Sequence, residues 1–247
     1  MHPTFIYGRH AVKVLLDTDP ARVKGLYVSV TAEPEFKPYA QRHNITIEPL
    51  SAHRFDKELE GAVHQGVVAK VALGGLVEDY ATFVKSINDP SPSAALVLLN
   101  EVTDPHNVGA IIRSAAAFGA AAVLVPSHNQ APITGAVAKA SAGAVFMIPI
   151  IAINNENQTI LDLKERGFWI YGLAGEGDHE VSKEKFDAPA VFVVGSEGEG
   201  LRPKTREHCD ILLRIPMHPA VESLNASVSA AVVLSHWSGQ HPEALMR

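Results

Sequence analysis

Apolar residues fall along this chain in two regimes. From residue 94 onward, short and nearly continuous apolar runs alternate with stretches whose apolar positions recur every three or four residues. The first pattern belongs to strands buried on both faces of a parallel sheet, the second to amphipathic helices. The runs predict strands over 95–99, 121–125, 146–150, 168–173, 190–194 and 211–215. The periodic stretches predict helices over 107–118, 134–142, 156–166, 201–208 and 224–237. Such alternation describes an α/β, doubly wound, parallel-sheet domain.

The beginning of the chain is organised differently. A helix over 10–16 and strands over 26–30, 45–48 and 67–73, rich in β-branched residues, form a small α/β unit. Between the two regions, 74–93 carries paired glycines, a short helical stretch and then Asn88-Asp-Pro-Ser-Pro-Ser93. Its prolines and serines mark a connector. The expected organisation is an N-terminal unit over 1–73, a linker over 74–93 and a larger domain over 94–247.

Composition then removes several classes of function. The chain has 247 residues, 47% hydrophobic and 19% charged, which is the make-up of an ordinary globular protein. No run approaches the ~18 apolar residues of a membrane span, and the start lacks the basic-then-apolar pattern of a signal peptide. A cytoplasmic protein with no membrane partner is expected. Cys209 stands alone, which excludes an intramolecular disulfide and a multi-cysteine zinc site. The twelve histidines show no ligand spacing, so no metal is expected. A formal charge of −6 argues against indiscriminate nucleic-acid binding but leaves room for one structured RNA recognised by shape and a local patch.

Candidate chemistry gathers in three polar loops, each directly after a predicted strand. They are Asn100-Glu-Val-Thr-Asp-Pro-His-Asn-Val-Gly109, leading into a helix with Arg113; Gly195-Ser-Glu-Gly-Glu-Gly200; and Ile215-Pro-Met-His-Pro-Ala-Val-Glu-Ser-Leu-Asn225. The carboxyl ends of strands are where open α/β sheets bind ligands. The second loop has the glycine spacing of a P-loop, but Leu201-Arg202 stands where Lys-Ser/Thr must follow. A dinucleotide fingerprint fails too, because Pro203 follows and the loop is not on the first strand. A tight strand-to-helix turn explains the glycines and leaves Glu197 unexplained. Asn107, Ser223 and Asn225 each read alone as helix N-caps. Arg113 reads either as a surface arginine or as a group for anion or ribose recognition. Pro216 and Pro219 deny backbone donors and hold the chain extended around Met217, leaving carbonyls and an apolar wall suited to an adenine ring. No Ser-His-Asp arrangement supports a hydrolase.

Taken together the loops resemble the three signature motifs of the SpoU/TrmH branch of the SPOUT RNA methyltransferases. The first is similar to that family's Asn-x-Gly-x-x-x-Arg-Ser/Thr-Ala, here Asn107-Val-Gly-Ala-Ile-Ile-Arg113-Ser-Ala115. The second matches Gly-x-Glu-x-x-Gly, and the third Ile-Pro-Met followed by Ser-Leu-Asn-x-Ser, here Ile215-Pro-Met217 and Ser223-Leu-Asn-Ala-Ser227. Ile6-Tyr-Gly-Arg-His-Ala11, Gly61-Ala-Val-His-Gln-Gly66 and Thr205-Arg-Glu-His-Cys-Asp210 resemble a subgroup that methylates a guanosine ribose in the peptidyl-transferase region of bacterial 23S ribosomal RNA. The resemblance implies a homodimeric, S-adenosylmethionine-dependent 2′-O-methyltransferase with an L30e-like N-terminal RNA-binding domain and a C-terminal trefoil knot. It implies catalytic roles for Asn107, Arg113, Glu197, Ser223 and Asn225; for the mechanism, Glu197 is expected to pair with or orient the Arg113 guanidinium. It implies a cofactor held against backbone groups of Gly195, Ile215 and Leu224, with Met217 beside them. Three positions depart from the pattern: Pro219 replaces a usual glycine, Ala226 a common valine, and Asn129 an arginine often found in relatives. Transfer-RNA ribose methylation, a catalytically silent RNA-binding module and a nucleotide-binding dehydrogenase are the rival readings.

Overall fold

The computed structural model describes residues 4–51, 55, 59, 63–87 and 89–246. Gly61 and Ala62 of the second N-terminal motif lie outside the described residues. The N-terminal unit runs β1 (Thr4–Tyr7), α1 (Arg9–Thr18), β2 (Val23–Val28), α2 (Glu33–Arg42), β3 (Ile47–Pro49) and β4 (Val67–Val71). Its sheet has the order β1-β4-β2-β3, with β4 antiparallel to β1 and β2 and β3 parallel to β2. Helix α2 escapes the periodicity reading because Pro34 and Pro38 look like breakers. Pro34 sits in the first turn, where a helix has no N–H bond to lose, and the helix buries Phe36 and Ala40.

The larger region continues with β5 (Val77–Asp79), α3 (Tyr80–Phe83), β6 (Ala95–Asn100), α4 (Pro105–Ala117), β7 (Ala122–Pro126), α5 (Gly135–Ala140) and β8 (Ile150–Ile153). It ends with α6 (Glu156–Glu165), β9 (Trp169–Leu173), β10 (His179–Glu180), β11 (Ala190–Gly195), α7 (Pro203–His208), β12 (Ile211–Arg214) and α8 (Ala226–Gln240). The sheet order is β10-β12-β9-β11-β6-β7-β8-β5, and every pairing is parallel. The expected linker contributes β5, which pairs with β8 at the sheet edge. The strand expected over 146–150 lies later. Residues 144–146 form a 3₁₀ turn, and β8 begins after Pro149, which has no N–H to give a ladder.

All six positions of β6 and of β11 are buried, as their unbroken apolar runs demand. Val97, Leu99, Phe192 and Val194 pack with α4 and α8 on one face. Leu96, Leu98, Val191 and Val193 pack with Ile160 and Leu163 of α6 on the other. The first core runs without a break into Ile6, Leu15, Leu26 and Phe36 of the N-terminal unit. Lys139 of α5 adds a polar tie, with its Nζ 4.9 Å from the Tyr7 ring centroid and donating to the Val63 carbonyl at 2.9 Å.

From the middle of the sheet, β6, β7 and β8 progress one way, while β11, β9 and β12 lie the other. Chain direction across the sheet therefore reverses between β6 and β11, whose last residues, Asn100 and Gly195, pair in register. Such a reversal opens a crevice at the carboxyl ends of the strands.

Candidate active site

The first loop leaves β6 at Asn100, a fully buried side chain. Its Oδ1 accepts from the Arg202 backbone N–H at 2.9 Å, and its Nδ2 donates to Glu156. That stitches the first loop to the segment just after the second. Helix α4 is capped by Asp104, whose carboxylate accepts from the His106 N–H at 2.9 Å. Asn107, expected as the cap, is instead in the first helical turn, and its side chain is released for other work. Gly109 lets α4 cross α5 closely, since a Cβ there would lie 2.4 Å from the Ala140 Cβ. Arg113 is exposed further along the helix, with no hydrogen-bond or ion-pair partner among the described residues.

The second loop closes on itself. Ser196 and Gly200 exchange backbone hydrogen bonds of 3.1 and 3.0 Å, leaving Glu197 within the closed turn. A Cβ on Gly195 would come within 2.3 Å of the Gly200 carbonyl, so a side chain there opens the loop. In the third loop, Val221 N–H bonds to the His218 carbonyl at 2.9 Å. Pro219 thus holds the second position of a turn, where a fixed φ is an advantage and glycine is not required. Asn129, the other notable departure, has φ 54°, a conformation asparagine tolerates better than arginine.

Asn225, rather than Ser223, caps α8. Its Oδ1 accepts from the Ser227 and Val228 N–H groups at 2.8 and 3.3 Å. With the oxygen so fixed, the Asn225 amide N–H₂ faces the other loops. It donates to the Asn107 Oδ1 at 2.8 Å and to the Glu197 Oε1. Asn107 Nδ2 donates to the same Glu197 oxygen at 2.8 Å. An ionised carboxylate is acceptor-only and suits two converging amides. The structure corrects the expectation for Glu197: its partners are Asn107 and Asn225, not Arg113.

Beside this cluster lies a cavity of 290 Å³. Gly195, Ile215, Met217 and Leu224 all line it, with Leu173 and Val194 completing apolar walls. Glu197 and Ser223 also reach it, whereas Arg113 does not. The backbone groups of Ile215, Met217 and Leu224 make no backbone hydrogen bond among the described residues, so they are open to a ligand. Sequence reasoning gave no cavity role to two lining residues, Glu176 and Arg206, whose side chains form an ion pair. Glu176 had a signal, because Gly175-Glu-Gly177 follows an apolar run as the second loop does. Arg206 stands in the Thr205–Asp210 motif already singled out, but only the fold brings α7 to the cavity. Burial pushes the nearby Cys209 thiol up to about 12, which leaves it unreactive near neutrality. Among the described residues no group of three or more His, Cys, Asp or Glu could hold a metal ion.

Fold and site define an α/β protein with a cavity of mixed polar and apolar lining at the carboxyl ends of β9, β11 and β12 of a parallel sheet, bordered by an ordered carboxylate–carboxamide cluster. The chain belongs to the SpoU rRNA methylase family, whose pattern matches residues 94–235. Residues 5–73 match the RNA 2′-O ribose methyltransferase substrate-binding family. Among curated relatives, the 23S rRNA (guanosine-2′-O-)-methyltransferase RlmB of Pectobacterium atrosepticum is 41% identical over 239 residues, covering 93% of this chain and 95% of its own. The protein of the same name from Yersinia pestis is 40% identical over 235 residues, covering 93% and 94%. Among solved structures, the SpoU methyltransferase AviRb from Streptomyces viridochromogenes, in complex with the cofactor AdoMet, shares the fold. Its TM-score is 0.78 at 24% identity, over 97% of this chain and 91% of that one.

Proposed function

We propose that this chain transfers the methyl group of S-adenosylmethionine to a guanosine 2′-oxygen in 23S ribosomal RNA, in the peptidyl-transferase region. The observation that carries the reading is the meeting of Asn107, Glu197 and Asn225, from three separate loops, beside one cavity. Relatives about 40% identical along nearly the whole chain carry that activity in their names.

The cavity suits the cofactor. Apolar walls from Leu173, Ile215, Met217 and Leu224 fit an adenine ring, and the open backbone groups of Ile215, Met217 and Leu224 fit its polar edge. When bound, the cofactor supplies an activated methyl group. The chain's own residues must then orient the ribose and stabilise the oxygen as it loses its proton. Arginine stays protonated in proteins, so Arg113 serves as a stabiliser of phosphate or developing alkoxide rather than as a base. Asn107, Glu197 and Asn225 fix the loop geometry, and Ser223, exposed on the cavity wall, contacts ribose or phosphate.

The same reading includes the trefoil knot around the cavity and an N-terminal unit over 1–73 that selects the RNA, joined through 74–93 to a catalytic domain over 94–247. It also includes a homodimer. Val228 and Val232 of α8 are 46% and 38% exposed, and with Ala110 and Ser114 of α4 they line a shallow depression near Arg113. A second copy of the chain covers that face. No helix among the described residues is long and apolar enough to cross a membrane, and ribosomal RNA as substrate implies work in the cytoplasm.

The test is mass-spectrometric mapping of 2′-O-methyl groups on ribosomal and transfer RNA from a deletion strain, with and without the gene restored. Loss of one 23S guanosine methylation is expected. An unchanged 23S RNA with a lost transfer-RNA methylation overturns the substrate assignment.

A further inference from the structure

The charges lining the cofactor cavity are uneven. Four carboxylates reach it, Glu176, Glu197, Glu199 and Glu222, against a single cation, Arg206. Glu197 is engaged by Asn107 and Asn225. Glu176, on the loop after β9, and Arg206, on α7, are paired to each other. Their side chains are 60% and 40% exposed, and an ion pair in that setting contributes little to stability. The pair is also the one point on the cavity lining where a cation and an anion stand side by side.

That arrangement is the complement of an α-amino acid. The amino-acid end of S-adenosylmethionine carries a carboxylate and an ammonium on one carbon, while its adenine and ribose carry no charge. A cavity with one cation offers one protein site for the carboxylate, and the carboxylate beside that cation offers a site for the ammonium. We propose that Glu176 and Arg206 are the clamp for the charged amino-acid end of the cofactor, with Arg206 binding the carboxylate and Glu176 the ammonium. The inference rests on the cofactor reading above. It assigns Arg206 and Glu176 to cofactor specificity, leaving the adenosine end to the apolar walls and the backbone of the third loop.

The test compares two ligands that differ at that end. S-adenosylhomocysteine keeps the carboxylate and ammonium, and 5′-methylthioadenosine lacks both. Both are titrated calorimetrically into wild-type protein, Arg206→Met and Glu176→Gln. Wild type should bind S-adenosylhomocysteine at least about tenfold more tightly, as expected for charge-assisted hydrogen bonds. Each variant should lose about that factor for S-adenosylhomocysteine and hold methylthioadenosine within about twofold. Methylthioadenosine binding also reports that the variant is folded, and the wild-type ratio needs no variant at all. Equal affinities of wild type for the two ligands would overturn the clamp and leave the cofactor reading intact. Parallel losses for both ligands would overturn it too, by making the pair a mere wall of the cavity. A wild-type protein that binds neither ligand overturns the cofactor reading itself.

Discussion

Asn225 donates its side-chain amide to the Asn107 oxygen at 2.8 Å, across 118 residues of chain. Each residue is held from its own side. Asn225 is oriented by the helix it caps, and Asn107 sits 5% exposed in the first turn of another helix. Glu197 closes the triangle by accepting from both. The three loops are thus one unit whose geometry is fixed by helix starts rather than by loop stiffness, as a preorganised site requires.

Substitutions at Asn225 separate its two roles. Asn225→Ala removes the cap and the amide, and should cost about 1 kcal/mol of stability along with methylation. Asn225→Asp keeps a good cap but sets a second carboxylate against Glu197. The cap survives, but the lost amide hydrogen bonds and the facing carboxylates should cost about 1–3 kcal/mol of stability, and methylation should fall more than about a hundredfold. Denaturant melts paired with a methyl-incorporation assay give both readouts, and an Asp variant with full activity would show that the amide is not needed.

Glu197 shows both what a sequence can reveal and what it cannot. Glu197 stands between glycines at a strand end, a local pattern that marks it without any knowledge of its partners. Those partners were not legible, because the contacts span 28 and 90 residues and depend on which side of α4 faces the second loop. The parallel sheet was legible because buried strands are written as apolar runs. Helix α2 and the edge strand β5 were hidden for opposite reasons: α2 carries two prolines, and Val77, Glu78 and Asp79 are exposed with no apolar run to betray them. Asn107 misled as a cap because Asp104, three residues earlier, does that job.

Arg113 is exposed and unpartnered among the described residues, so nothing in the fold depends on its charge. Arg113→Ala should change stability by less than about 0.5 kcal/mol and leave S-adenosylhomocysteine affinity unchanged, because the residue does not line the cavity. Methylation should fall by more than about a hundredfold. Wild-type turnover in this variant would remove Arg113 from the mechanism.

The exposed α8 face offers a direct test of the dimer. Val228→Glu combined with Val232→Glu adds charge where both valines are already solvent-accessible in one copy, so the monomer should fold normally. Two carboxylates buried against a second copy carry a large desolvation cost. Sedimentation should show wild type at twice the chain mass and the double variant at one. A variant that keeps the wild-type mass refutes this face as the contact.

Glu156 supplies a pH dependence that can be isolated. Burial raises its pKa, outweighing the hydrogen bond from Asn100 and the charge of Arg202, both of which lower it. A carboxyl raised in the folded state favours the protonated form there. Its contribution is fully present below the unfolded value near 4.5 and is lost as pH climbs through the folded value. Glu156→Gln keeps an oxygen to accept the Asn100 N–H and removes the charge. The variant should match wild type at about pH 4 and exceed it at about pH 7, with the gap opening between. Urea melts at both pH values measure it. A glutamine variant less stable than wild type at neutral pH would mean that attraction to Arg202 outweighs the cost of burying the charge.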